Sequence, residues 1–306
     1  MSDVVVRGRA ASVARIEWPT LALAAGIYTS FLLLTWHHAA LPWWALLPMG
    51  TVTMVLQASL QHEVIHGHPT RHRWFNDALG KPCLWLWLPY ELYRELHLRH
   101  HRNDILTDPL DDPESYYVTG RRWQDLPLPM RWVLIVNQTL AGRLTIGPVL
   151  AVIGLWREEV RLIRDGDRRH VRVWLEHAGW VTLILAWVIG VCGMPFWKYL
   201  AFFAFPGTAL SMLRSFMEHR PAADPGARCA IVEDGGAFGF LFLNNNLHAV
   251  HHRWPALPWY RLPGVYRARR DEILAWNGGY LIEGYRAMAR RFLLRPKDHP
   301  IHPDYP

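Results

Sequence analysis

His62-Glu63-Val64-Ile65-His66 stands directly after an uncharged run, Leu41 to Leu60, and that junction decides how the chain is read. As a helix the run is long enough to cross the ~30 Å hydrocarbon core of a bilayer. The motif behind it puts two imidazoles on one helical face, because positions i and i+4 lie one above the other. A span that ends in paired histidines predicts a metal site at the membrane surface, provided that other histidines complete it.

Two further motifs can. His97-Leu98-Arg99-His100-His101 and His248-Ala249-Val250-His251-His252 share the spacing H-x-x-H-H, and on a helix each turns its three histidines to one side. The three motifs together offer eight imidazoles. That is too many for one ion, since zinc takes four ligands in structural sites and three plus water in catalytic ones. It suits a dinuclear centre with about four or five ligands per ion. Imidazole is compatible with iron, copper, zinc and nickel, so the count does not name the metal.

The apolar runs come in pairs. Trp18 to Trp36 precedes the first run, joined to it by His37-His38-Ala39-Ala40. Trp174 to Met194 and Pro195 to Leu213 form a second pair around Gly193-Met194-Pro195, with Lys198 able to snorkel. Core helices of a soluble protein can also be apolar all round. Two uncharged hairpins of this length favour the membrane. The expected architecture is an all-α integral membrane protein, one domain over 1–306. Four transmembrane helices (18–36, 41–60, 174–194, 195–213) form two hairpins, and interfacial helices and a cytosolic histidine-rich cap come from 61–172 and 214–306.

Charge placement sets the sidedness. The chain of 306 residues is 51% hydrophobic, only 19% charged, and carries a net charge of +7. Such an excess belongs either to nucleic-acid binding or to the positive-inside bias of membrane proteins. Neither hairpin joint holds Lys or Arg. The N-terminal stretch holds Arg7, Arg9 and Arg15, and the middle and C-terminal segments hold nearly all the rest. Both termini and the cap are therefore expected on the cytoplasmic side of the cytoplasmic membrane, and no nucleic-acid partner is expected. Met130 to Trp156 is apolar but contains Asn137, Gln138 and Arg143. A mid-bilayer charge costs about 2.5–3.5 kcal/mol. A single extra crossing would also put the early and late motifs on opposite faces, so this stretch reads as interfacial or re-entrant. Lys81 to Tyr90, with Trp85 and Trp87, reads as an interfacial segment. Tyr280 to Leu294, with Arg286, Arg290 and Arg291, reads as an amphipathic surface helix. No cleavable signal peptide is expected, because the first apolar run is long and lacks a small-residue cleavage site. Cys83, Cys192 and Cys229 form no C-x-x-C, which excludes a zinc ribbon, an iron–sulfur site and a disulfide scaffold.

The three motifs, in this order around two hairpins, resemble the histidine boxes of the membrane fatty acid desaturase and hydroxylase superfamily. Asn244-Asn245-Asn246-Leu247 before the third box, Trp254-Pro255 after it, and Asp104-x-x-x-Asp108-Pro109 after the second extend the resemblance over residues 18–260. It implies a mushroom-shaped fold with four membrane helices, a cap holding two iron ions, and O2 as co-substrate. Resemblance to the stearoyl-CoA desaturases implies one iron on His62, His66, His97, His101 and His251. The other would take His100, His248, His252 and an extra histidine, for which His219 is placed. Those enzymes carry an Asn one turn before the extra histidine, holding a water. This chain has Ser215 there. Carboxylates commonly orient metal-bound imidazoles, and Glu63, Asp104, Asp108 and Glu218 are the expected ones. No catalytic residue is expected beyond the ligands. His68 and His72 repeat the H-x-x-x-H spacing beside the first box and are weaker ligand candidates. His37, His38, His170, His177, His299 and His302 belong to no constellation.

An unactivated methylene offers neither an acidic proton nor an electrophile, so its oxidation calls for a cofactor. The expected function is O2-dependent di-iron desaturation of a fatty acyl chain or lipid. The alternatives are an acyl or carotenoid hydroxylase or ketolase, and a desaturase of a small amphiphilic metabolite of the rhizobitoxine type. More remote are a metal or haem carrier and an intramembrane zinc protease. The protease rests on the H-E-x-x-H pattern of His62 to His66 and leaves six paired histidines without a role. Electrons would come from an external ferredoxin or cytochrome b5-like donor docking on the basic cap.

Overall fold

The computed structural model describes residues 16–306, so Arg7, Arg9 and Arg15 lie outside the described residues. Helix α1 (Trp18–Trp36) opens with Pro19 in its first turn, where a missing N–H breaks no helical bond. It packs against α2 (Trp43–Ile65), which runs past the apolar stretch and carries the first histidine box in its last turn. α3 (Arg73–Gly80) and α4 (Tyr90–His100) follow, the latter bearing the second box. Between them Trp85 and Trp87 are tied down, their indoles donating to Gln61 Oε1 (2.9 Å) and Thr208 Oγ1 (3.2 Å).

The stretch 130–156 is broken. After α5 (Gly120–Asp125), three pieces, α6 (Leu128–Asn137), α7 (Leu140–Thr145) and α8 (Gly147–Arg164), stand in place of a single long helix. Thr139 ends one and starts the next, accepting the Gly142 N–H at 3.0 Å as an N-cap. Arg143 is buried here, donating to Asn137 O at 3.1 Å with its guanidinium 3.4 Å from the centre of the Tyr116 ring. α9 (Arg168–Leu185) continues through a π turn to Val191, starting before the expected Trp174. The return column is α10 (Phe196–Tyr199), a π turn at Leu200–Ala204 and α11 (Phe205–Ser215). Pro206 removes a donor next to this π turn, which accounts for the interruption.

Among the described residues two helical runs are long and apolar enough to cross a bilayer, Trp18–Trp36 and Arg168–Val191. α2 and the α10–α11 column sit more centrally and meet closely. A Cβ on Gly207 would lie 2.3 Å from Met54 Cβ, and one on Gly50 would lie 2.5 Å from Phe202 O. Small residues at these two points let the backbones approach. Phe31, Leu46, Met54, Val188, Tyr199 and Phe203 fill the space between the four columns. The two hairpin joints touch: Lys198 Nζ donates to His38 O (2.8 Å) rather than reaching outward, and His38 Nε2 lies 3.2 Å from Cys192 O.

The cap is not wholly helical, contrary to the all-α expectation. β1 (Ile231–Asp234) pairs in parallel with β2 (Leu281–Gly284), in register Ile231 to Leu281 and Asp234 to Gly284. The expected helix over 280–294 therefore begins as a strand. Around this ribbon lie α12 (Gly236–Leu241), α13 (His248–Arg253), α14 (Leu262–Ala268), α15 (Arg270–Trp276) and α16 (Tyr285–Phe292). Ile231, Leu247, Ala249, Val250 and Ile273 form a core that fixes α13, the helix of the third box, against β1.

Candidate metal centre

Three helix ends deliver the histidines. His62 lies in the last turn of α2 and His66 just beyond it. His97 and His100 lie on α4, with His101 at its C-cap. His248, His251 and His252 lie on α13. The Asn triplet before α13 explains how so short a helix is aimed. Asn244 takes a positive φ of 58°, a conformation that Asn tolerates better than most residues. Its amide donates to Trp259 O (3.0 Å), and Asn246 donates to Val232 O (2.7 Å). Asn245 Oδ1 stands 3.2 Å from His248 Nδ1.

The imidazoles fall into two groups. His62, His66, His97, His101 and His251 converge in one, and His100, His219, His248 and His252 in the other. His101 and His252, one from each group, stack at 4.2 Å between ring centres. In the first group the Nε2 atoms of His66 and His97 are 3.1 Å apart, those of His97 and His101 3.0 Å, and those of His101 and His251 3.1 Å. In the second, His219 Nε2 is 3.0 Å from both His100 Nε2 and His248 Nε2.

Hydrogen bonds cannot satisfy this arrangement. His97 Nδ1 donates to Glu114 Oε1 (2.8 Å), so its neutral ring has one lone pair on Nε2, which faces both His66 Nε2 and His101 Nε2 and cannot fully serve the two. His62 Nε2 and His252 Nε2 are buried without any partner among the described residues. Stranded buried acceptors are costly, and a cation at the point of convergence removes the cost. Spacings near 3.0 Å suit neighbouring donors on one ion with bonds of ~2.1 Å. Burial, then the charges of neighbouring histidines, hold His62, His66, His251 and His252 well below the ordinary imidazole range, in the neutral form a metal requires. His100 differs. Burial works downward, but Glu114 and the Asp112 hydrogen bond outweigh it and lift the group to about 9.

The groups that orient the rings are mostly not the expected ones. Glu114 holds His97 and Asp112 holds His100, each at 2.8 Å, and Asn103 Oδ1 stands 3.0 Å from His252 Nδ1. Of the expected carboxylates only Glu218 reaches a box histidine, 3.2 Å from His248 Nδ1 while paired with Arg214 at 3.1 Å. Asp104 is exposed and pairs with Arg102. Asp108 accepts the Leu110 and Asp111 amides and the Tyr305 hydroxyl. Glu63 accepts the Trp259 amide at 2.9 Å, joining the first box to the chain beyond the third. Ser215 Oγ is 2.8 Å from Tyr116 OH. His68 bonds Glu17 at 2.7 Å, and neither it nor His72 belongs to either group. The missed signal was the acidic run Asp111-Asp112-Pro113-Glu114 behind the second box.

The family model described as fatty acid desaturase matches residues 38–284. The chain belongs to the fatty acid desaturase family. That is the superfamily the three boxes resemble. Its relatives include a β-carotene ketolase from Paracoccus sp., 26% identical over 219 residues, or 67% of this chain and 72% of the relative. A β-carotene ketolase from Haematococcus lacustris is 26% identical over 223 residues, or 67% of this chain. The chain spans only 56% of the length of that algal relative. With this family and these relatives the protein is an oxidoreductase, and its histidine groups are suited to iron.

Proposed function

We propose that the protein is a membrane-embedded di-iron oxygenase that uses O2 to desaturate a fatty acyl chain. One observation carries the reading: nine buried or half-buried imidazoles divide into adjacent groups of five and four, with nitrogens converging in each. His62, His66, His97, His101 and His251 would hold one ion, and His100, His219, His248 and His252 the other. When bound, the pair supplies the one-electron and O2 chemistry that side chains lack. The chain's own residues do the rest. Glu114, Asp112, Asn103 and Asn245 fix ring orientation through Nδ1, which leaves Nε2 free to ligate. The cores around α13 and between the helices keep bulk water away.

Four spans fit the surfaces. Trp18, Trp36, Trp43, Trp44, Leu183 and Trp197 are exposed and apolar, as lipid-facing residues are. The two joints meet at one end of the helices, and the boxes follow at the other. On this reading the cap is cytoplasmic, the substrate arrives from the bilayer, and a ferredoxin or cytochrome b5-like protein supplies electrons. A second reading, oxidation of a carotenoid, is favoured by the ketolase relatives. Cells expressing the wild type or His251→Ala, compared for acyl-chain unsaturation and for oxidised carotenoids, separate the two. New double bonds only with the wild type support desaturation, and oxidised pigment alone supports the second reading. One zinc per purified chain, in place of two irons, would remove both and revive the protease.

A further inference from the structure

α8 presents two adjoining strips that nothing in the metal centre explains. Val149, Ile153, Trp156 and Val160 recur at helical spacing, and each is 42–48% exposed. Arg157, Arg161 and Arg164 run beside them. The opposite face is the packed one: Glu159 is buried there, bonded to His170 Nδ1 (2.7 Å) and Trp174 Nε1 (2.9 Å) of α9. Arg161 is spent on Glu158 and Asp165, but among the described residues Arg157 and Arg164 make no ion pair. Ile153, Trp156 and Val160 on one side and the three arginines with Asp165 on the other line an open cleft of about 490 Å³.

We infer that this cleft binds an anionic phospholipid of the cytoplasmic leaflet, its phosphate on Arg157 and Arg164 and its acyl chain along Ile153, Trp156 and Val160. The ligand must be apolar at one end and anionic at the other, because the cleft is divided in that way. Its position agrees. Only Asp165-Gly166-Asp167 separates Arg164 from the run Arg168–Val191, so the arginines stand where that helix would leave the hydrocarbon. Trp156 donates to Trp87 O (3.1 Å) with its ring still half exposed, as an interfacial Trp does. The inference rests on the membrane embedding proposed above.

The full chain, reconstituted in vesicles of phosphatidylcholine with roughly 30 mol% phosphatidylglycerol and then extracted, should retain phosphatidylglycerol by native mass spectrometry. Arg157→Gln/Arg164→Gln should lower that retention on the order of tenfold, with phosphatidylcholine unchanged. Equal retention by the variant overturns the proposal. Spin labels at Ile153→Cys and Leu183→Cys, in a Cys192→Ser background, tell its failure from failure of the embedding. Both labels should be accessible to O2 and shielded from a polar nickel relaxant. A shielded Leu183 label with a water-exposed Ile153 label overturns only the lipid site. Water exposure of both overturns the membrane reading.

Discussion

Asp112 Oδ1 lies 2.8 Å from His100 Nδ1, and both side chains are about 2% exposed. The other Asp112 oxygen accepts the Thr107 amide at 2.9 Å, so the carboxylate is itself held in place. Removing such a partner commonly lowers metal affinity 10–100-fold. Asp112→Asn should therefore weaken iron in the group of four by about that factor and spare the group of five. Asp104→Asn, on an exposed carboxylate that meets Arg102, should change neither. Iron content per chain, with Mössbauer spectra to resolve the two environments, checks both variants. Equal loss from both groups in Asp112→Asn would contradict the assignment.

His251 and His252 are neighbours in sequence and belong to different groups, because successive helical residues point about 100° apart. His251→Ala should leave the group of four able to load, and His252→Ala the group of five. Each variant should bind about one ion per chain where the wild type binds two, and neither should turn over. His68→Ala should keep both ions, since His68 faces Glu17 rather than either group. Loss of an ion in that variant would mean that His68, with the neighbouring Glu17 and Glu63, takes part in metal binding.

The box histidines were legible because helical periodicity is local: His97, His100 and His101 share a face whatever the rest of the chain does. Their partners were not. Asp112 reaches His100 only because the loop turns through Thr107, at a φ of 69°, and spacing does not encode that turn. Asp104 and Asp108 looked better placed in sequence and point elsewhere. His219 has no companion at helical spacing and was legible only through the family resemblance. The parallel ribbon was invisible for another reason. Its two short strands gain a partner only when a long connection closes, which local pattern does not report.

Arg214 stands one residue before Ser215, in the last turn of α11. Its guanidinium pairs with Glu218 at 3.1 Å, in a setting where both side chains are largely buried. Breaking a buried pair from one side costs about 3–5 kcal/mol, because the other charge is left uncompensated. Arg214→Met should lower stability by that order in thermal unfolding of the detergent-solubilised protein. Arg214→Met/Glu218→Gln should recover more than half of the loss. Additive losses would show that the two residues act independently.

The C-terminal tail is latched by a carboxylate. Tyr305 OH donates to Asp108 Oδ2 at 2.6 Å, the Gly120 amide donates to Tyr305 O at 2.7 Å, and His302 Nε2 lies 3.1 Å from Thr107 Oγ1. Burial works to raise the Asp108 pKa, but the Tyr305 hydroxyl and the Leu110 and Asp111 amides outweigh it and hold the group below its ordinary value. A depressed carboxylate contributes stability that is complete above the unfolded value of ~3.9 and is lost as pH falls through the folded value. The Asp108 contact should therefore be indifferent to pH between 5 and 8 and open only below about pH 4, whereas the His302 contact, whose imidazole is held below its ordinary value by burial, should weaken as pH falls below about 6.5. Asp108→Asn should loosen the tail already at pH 7. Hydrogen exchange of the 118–120 and 301–305 amides, corrected for intrinsic rates, reads this directly. A tail that stays protected in the variant at pH 7 would show that the backbone bonds hold it without the carboxylate.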